Sequence, residues 1–184
     1  MADEPSRDQA LVRVALGIDP GTAATGYGIV RSRGESLALV ACGVITTAPG
    51  LPLSERLQTI YVGLLELIDR FRPTEAAVEA LFFNKNVRTA LAVGQARGVV
   101  LLAAAHRGLT VSEYSPLQVK QAITGYGRAT KQQIQKMLPV LLQTNFVPEP
   151  DDAADAVAIA ICHVHLSRLA RVLRERQEEN GAKL

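Results

Sequence analysis

The sequence predicts a single α/β domain on a mixed five-stranded sheet, in which an antiparallel three-strand meander is continued by parallel strands and flanked by helices. Three observations predict it. Three consecutive short runs rich in β-branched and small apolar residues are separated only by tight turns. Beyond them, strand-like runs alternate with helix-length periodic segments. Finally, 184 residues, 48% of them hydrophobic, suffice for one sizeable core but not for two large lobes facing across a cleft.

The opening runs are "RVALGID" (13–19), "TGYGIVRS" (25–32) and "LALVACGVITT" (37–47), joined by "PGTA" and "RGES". In 53–71, Leu57, Ile60, Tyr61, Leu64, Leu65 and Ile68 recur at helical spacing; Ser54 is the expected N-cap, and the helix stops before Arg72-Pro73. "TEAAVEALFF" (74–83) reads as a buried strand. A long helix from about Val87 to His106 then crosses over to a short strand at 109–115, which makes these two strands parallel. Helices follow at 116–124 and 130–143, and a last one opens near "EPDDAADAVAIAICH". Residues 1–12 form a polar tail, 13–173 the domain, and 174–184, "RERQEENGAKL", a polar C-terminal tail that frays.

Composition narrows the classes. With 20 Lys and Arg against 18 Asp and Glu, the net charge of +2 is compatible with a polyanionic partner without demonstrating one. Cys42 and Cys162 form no CxxC, so two free thiols are expected in a reducing, cytosolic compartment. Neither a signal peptide nor a bilayer-spanning run is expected; the longest apolar stretch read is "GVVLLAAA" (98–105).

The acids carry the chemistry. Asp19 ends the first strand and Glu79 lies near the end of the fourth; if these strands are neighbours, the two carboxylates converge where open α/β sheets bind ligands. Asp-Pro-Gly is also ordinary turn chemistry, so Asp19 alone decides nothing. Asp152 and Asp155, three apart, share one face at the start of the last helix. Acids there complement the helix dipole, but Asp155 is already inside the helix among Ala154, Ala156 and Val157. A divalent cation turns the mutual repulsion of such carboxylates into attraction, and two hard ions a few Å apart suit phosphodiester cleavage.

Other positions are candidate nucleic-acid contacts. Lys120, Arg128 and Lys131 flank the glycine-bearing loop of "TGYGRATKQQIQK" (124–136), and could equally form a solvated face. Phe82, Phe83 and Lys85 follow Glu79; an exposed ring beside an active site stacks on an unpaired base, while burial in the core is the alternative. His163 and His165 lack the partners of a zinc site. Neither G-x-x-x-x-G-K-[ST] nor G-x-G-x-x-G occurs.

Together, "LGIDPGTAATGYGIV", "VEALFFNKN", "GQARGVV", "VKQAITGYGRATKQQIQ" and "DDAADAVAIAICH" resemble the RuvC family of Holliday junction resolvases, in that order from about Val14 to His165. The resemblance implies an RNase H-like fold. It also implies a homodimer, built on the helix containing "GQARGVVLLAAA", that nicks opposing strands of a four-way DNA junction symmetrically in recombination and repair, leaving 5′-phosphate and 3′-hydroxyl ends. Asp19, Glu79, Asp152 and Asp155 are then the acidic quartet, binding two Mg²⁺ per site with Mn²⁺ as a substitute. Phe82 matches the aromatic that contacts bases, Lys120 and Lys131 match basic residues near the active site, and RuvA–RuvB is the implied partner machinery. A rival starts from the same turn: "GIDPGT" also resembles the phosphate-binding hairpin of actin-like ATPases, in which Gly21 and Thr22 would touch ATP, but no second D-x-G segment is present.

Overall fold

The computed structural model describes residues 12–80 and 87–181, with the backbone alone at 87–89, 174–175 and 178–181. In order, the elements are β1 (Val12–Asp19), β2 (Ala24–Arg33), β3 (Ser36–Thr46), α1 (Leu53–Phe71), β4 (Glu75–Glu79), α2 (Val87–His106), β5 (Val111–Tyr114), α3 (Pro116–Thr124), α4 (Lys131–Leu141) and α5 (Asp151–Gly181). The sheet runs β3-β2-β1-β4-β5. The first three strands are antiparallel, and β4 lies parallel to both β1 and β5, so strands one and four are neighbours as the convergence of Asp19 and Glu79 requires.

Side chains alternate across a strand. Leu16 and Ile18 of β1 join Ile60, Leu64 and Ile68 of α1 and Val100 of α2 on one face. Ala15 of β1 and Ala77 of β4 join residues of α3, α4 and α5 on the other. By the same alternation, Asp19 shares the face of Ala15, and Glu79 that of Ala77. Both carboxylates therefore stand under α5.

That helix lies directly on the sheet because glycines leave room for it. A Cβ added to Gly17 would sit 2.1 Å from the carbonyl oxygen of Ala156, and one added to Gly26 would sit 2.0 Å from that of Asp152. By length and composition Asp151–Leu173 has the mean hydropathy, 1.5, of a membrane span, but half of it is buried here, and it serves as the core helix.

Several boundaries differ from the sequence reading. Ser54 does not cap α1: the helix begins at Leu53 behind Pro52, with no side-chain cap, so Ser54 lies inside the first turn. Strand β4 ends at Glu79, short of the expected 83. The last helix continues through 174 to Gly181 where a fraying tail was expected. Cys42 and Cys162 are free thiols, the first half-buried and the second buried.

Candidate active site

The turn after Asp19 is locked by its own polar groups. Thr25, fully buried, donates from Oγ1 to the carbonyl of Gly21 at 2.8 Å, and Thr47 Oγ1 donates to the carbonyl of Thr22 at 2.7 Å. Arg56 Nε, from the first turn of α1, also donates to Thr22 O (3.1 Å) and to Thr47 Oγ1 (2.8 Å). The Thr25 hydroxyl of "PGTAAT" thus rigidifies the turn that ends β1, fixing Asp19 at the strand end.

Asp19, Glu79 and Asp155, from β1, β4 and α5, line one cavity of about 210 Å³ together with Lys120 of α3 and Lys131 of α4. Val119, Ile134, Ala158 and Ile159 form its apolar walls. Asp152 stands beside them: its carbonyl covers Gly26, the cross-strand partner of Asp19. The lysines are placed by helix starts. Ser115 and Gln118 form a capping box that opens α3, and Thr130 and Gln133 another that opens α4, with Lys131 its first residue. An ammonium at a helix N-terminus opposes the dipole. Here it is compensated by Asp155, 2.9 Å away, and Asp151, 3.2 Å away.

The electrostatics record crowded negative charge. Burial, and then the carboxylates of Asp155, Glu79 and Asp152, push the Asp19 carboxyl up to about 7, against the opposing effect of Lys131. Burial and Asp155 likewise raise Glu79, while Lys120 favours its charged form. Among the described residues, no three His, Cys, Asp or Glu side chains close around a common point as they stand, and Lys131 engages one oxygen of Asp155. The donor set nonetheless fits a hard divalent ion: four carboxylates from three elements, no sulfur, and more negative charge than Lys120 and Lys131 neutralise.

A family model described as "Crossover junction endodeoxyribonuclease RuvC" matches residues 15–163. The chain belongs to the RuvC family. The RuvC of Pelotomaculum thermopropionicum is 61% identical over 150 residues, 82% of this chain and 92% of that protein. The structure of Thermus thermophilus RuvC in complex with a Holliday junction substrate superposes with a TM-score of 0.82 at 40% identity, covering 86% of this chain and 96% of that one. The yeast mitochondrial Holliday junction resolvase Ydc2 shares the fold, with a TM-score of 0.57 at 16% identity, over 80% of this chain and 77% of its own. RuvC proteins are metal-dependent endodeoxyribonucleases on an RNase H-like fold.

Within this RuvC-family chain the structure brings Asp19, Glu79, Asp155, Lys120 and Lys131 into one cavity, with Asp152 outside its lining but near enough to raise the Asp19 carboxyl. Arg128 it leaves exposed between α3 and α4, outside the cavity lining. Phe82, Phe83 and Lys85 lie outside the described residues. Two groups escaped the sequence reading. Asp151 pairs with Lys131; its spacing of four from Asp155, one helical turn, was the available signal. The second is a buried network with no local signature: Tyr114 Oη bonds His163 Nδ1 at 2.8 Å, His163 Nε2 bonds Glu75 Oε2 at 2.7 Å, and Arg13 pairs with the same carboxylate. Burial alone would raise the Glu75 carboxyl, but its hydrogen bonds with His163 and Arg13 outweigh this and hold it at about 2. The network ties α5, the helix that carries Asp152 and Asp155, to β4, β5 and β1.

Proposed function

We propose that this chain is a metal-dependent resolvase that cuts four-way DNA junctions by paired, symmetric nicks in recombination and repair. The observation that carries this reading is the convergence of Asp19, Glu79 and Asp155, from three separate elements, in one cavity beside Lys120 and Lys131. Asp19, Glu79, Asp152 and Asp155 hold the divalent ions, two Mg²⁺ per site, with Mn²⁺ able to replace them. When bound, the ions supply an activated water and charge stabilisation at the leaving oxygen. Lys120 and Lys131 hold the non-bridging oxygens of the scissile phosphate. The water oxygen bonds to phosphorus, the bond to O3′ breaks, and O3′ takes up a proton, leaving 5′-phosphate and 3′-hydroxyl ends. Phe82, with Phe83, Lys85 and Arg128 near the junction, contacts bases and backbone.

Paired nicks need two sites, and a homodimer built on α2 supplies them. Its exposed Leu91 and Leu102, 63% and 50% accessible, support a second copy covering that helix. Cooperation with RuvA–RuvB in the cytosol is part of the same reading.

The test is cleavage of a synthetic four-way junction with Mg²⁺, Mn²⁺ or chelator, beside a linear duplex and an ATPase control. Junction-selective, metal-dependent nicks are expected. Metal-independent cutting, equal cutting of the duplex, or ATP hydrolysis would overturn the proposal.

A further inference from the structure

Helix α5 opens with two adjacent aspartates, of which only Asp152 belongs to the acid set above. Asp151 turns to α4 instead. Lys131 Nζ lies between Asp151 Oδ2 at 3.2 Å and Asp155 Oδ2 at 2.9 Å. One turn along α4, Gln135 Nε2 donates to the other oxygen of Asp151 at 2.8 Å. Asp151 and Asp155 are four apart on α5, as Lys131 and Gln135 are on α4, so each pair shares a helix face and the four side chains form a ladder between the helices.

The two holders of Lys131 are not equivalent. Asp155 lines the cavity and is among the acids assigned to the metal, and an oxygen turned to an ion is lost to the lysine. Asp151 lies outside the cavity lining and is fixed from behind by Gln135. As the first residue of α4, Lys131 also feels the positive end of that helix, so without a facing carboxylate it has reason to swing away.

We infer that Asp151, braced by Gln135, is a positioning residue that keeps Lys131 Nζ at the mouth of the acid cluster when Asp155 turns to the metal. The ammonium is thereby held where the scissile phosphate arrives. This rests on the functional reading above.

A double-mutant cycle on the full-length protein tests it. Asp151→Asn, Lys131→Ala and the double variant are compared in single-turnover junction cleavage, and by calorimetry with Mn²⁺ alone. If Asp151 acts through Lys131, Asp151→Asn slows cleavage about tenfold in the wild-type background but less than about twofold when added to Lys131→Ala. Asp151→Glu, which keeps the charge, restores most of the rate. Lys131→Ala tightens Mn²⁺ binding because Asp155 no longer has to release an ammonium, and Asp151→Asn leaves Mn²⁺ affinity within about twofold in the Lys131→Ala background. Equal losses of rate in both backgrounds, or weakened Mn²⁺ binding in both, would overturn the inference, since Asp151 would then act on the metal or the fold directly. An inactive wild type would instead sink the functional reading.

Discussion

A methyl group placed at Gly26 would set the sheet against the first turn of α5. The added Cβ would lie 2.0 Å from the carbonyl oxygen of Asp152 and 3.1 Å from its Cβ, whereas ordinary contact begins at 3.4 Å. The difference, 3.4 less 2.0, requires a retreat of about 1.4 Å by a turn that carries Asp152 and leads into Asp155. Glycine to alanine in an unobstructed strand stabilises by roughly 0.5–1 kcal/mol. Here overpacking against backbone reverses the sign, at a cost of about 1–3 kcal/mol. For a domain of this size that is a fall in Tm of roughly 2–12 °C, at about 2–4 °C per kcal/mol. The larger effect is on chemistry, because a misplacement of about 1 Å costs on the order of 10²-fold in rate. Gly17→Ala meets Ala156 O at 2.1 Å and Ala160 N at 2.5 Å near the middle of the interface, so it should lose more stability, and Ala160→Gly should not rescue it. Thermal denaturation and junction cleavage, run in parallel, measure both. A Gly26→Ala protein that melts at or above the wild-type temperature and cuts within threefold of it would refute the reasoning.

Other perturbations follow from the charges. Asp19→Asn should abolish cleavage while leaving junction binding largely intact, as gel-shift and nicking assays would show. Its carboxyl is raised from 3.8 to about 7, so the metal-free fold loses stability as pH rises through that window; Asn removes the penalty. The variant should then be more stable than metal-free wild type in denaturant unfolding at pH 8, by less than the about 4 kcal/mol that the full shift implies at 1.36 kcal/mol per unit. Glu75 has the opposite sign: its stabilisation is complete above 4.5 and is lost as pH falls toward about 2. Acid denaturation of wild type should show that loss, and Glu75→Gln, destabilised by about 1.5–3 kcal/mol at pH 7, should show less of it. Lys131→Ala should weaken cutting, and the deficit should shrink as salt rises and phosphate contacts fade; a salt-independent deficit would argue against a phosphate contact.

Much of this protein is legible in the chain alone. Apolar runs, turn residues and, for α1, helical spacing place all ten elements in order, because these signals are local. The strand-end position of Asp19 and Glu79, and the i, i+3 spacing of Asp152 and Asp155, are local too. The remainder depends on packing between elements distant in sequence. The adjacency of β1 and β4 brings Asp19 to Glu79, and strand alternation turns both toward α5. Gly17 and Gly26, which lie inside the strand runs, are the clearance that lets that helix touch the sheet. The partners of Glu75 come from β1 and α5, 62 and 88 positions away. Asp151 faces Lys131 only because α4 packs beside α5. Sequence spacing reports neighbours along one element, whereas the site is made where five elements meet.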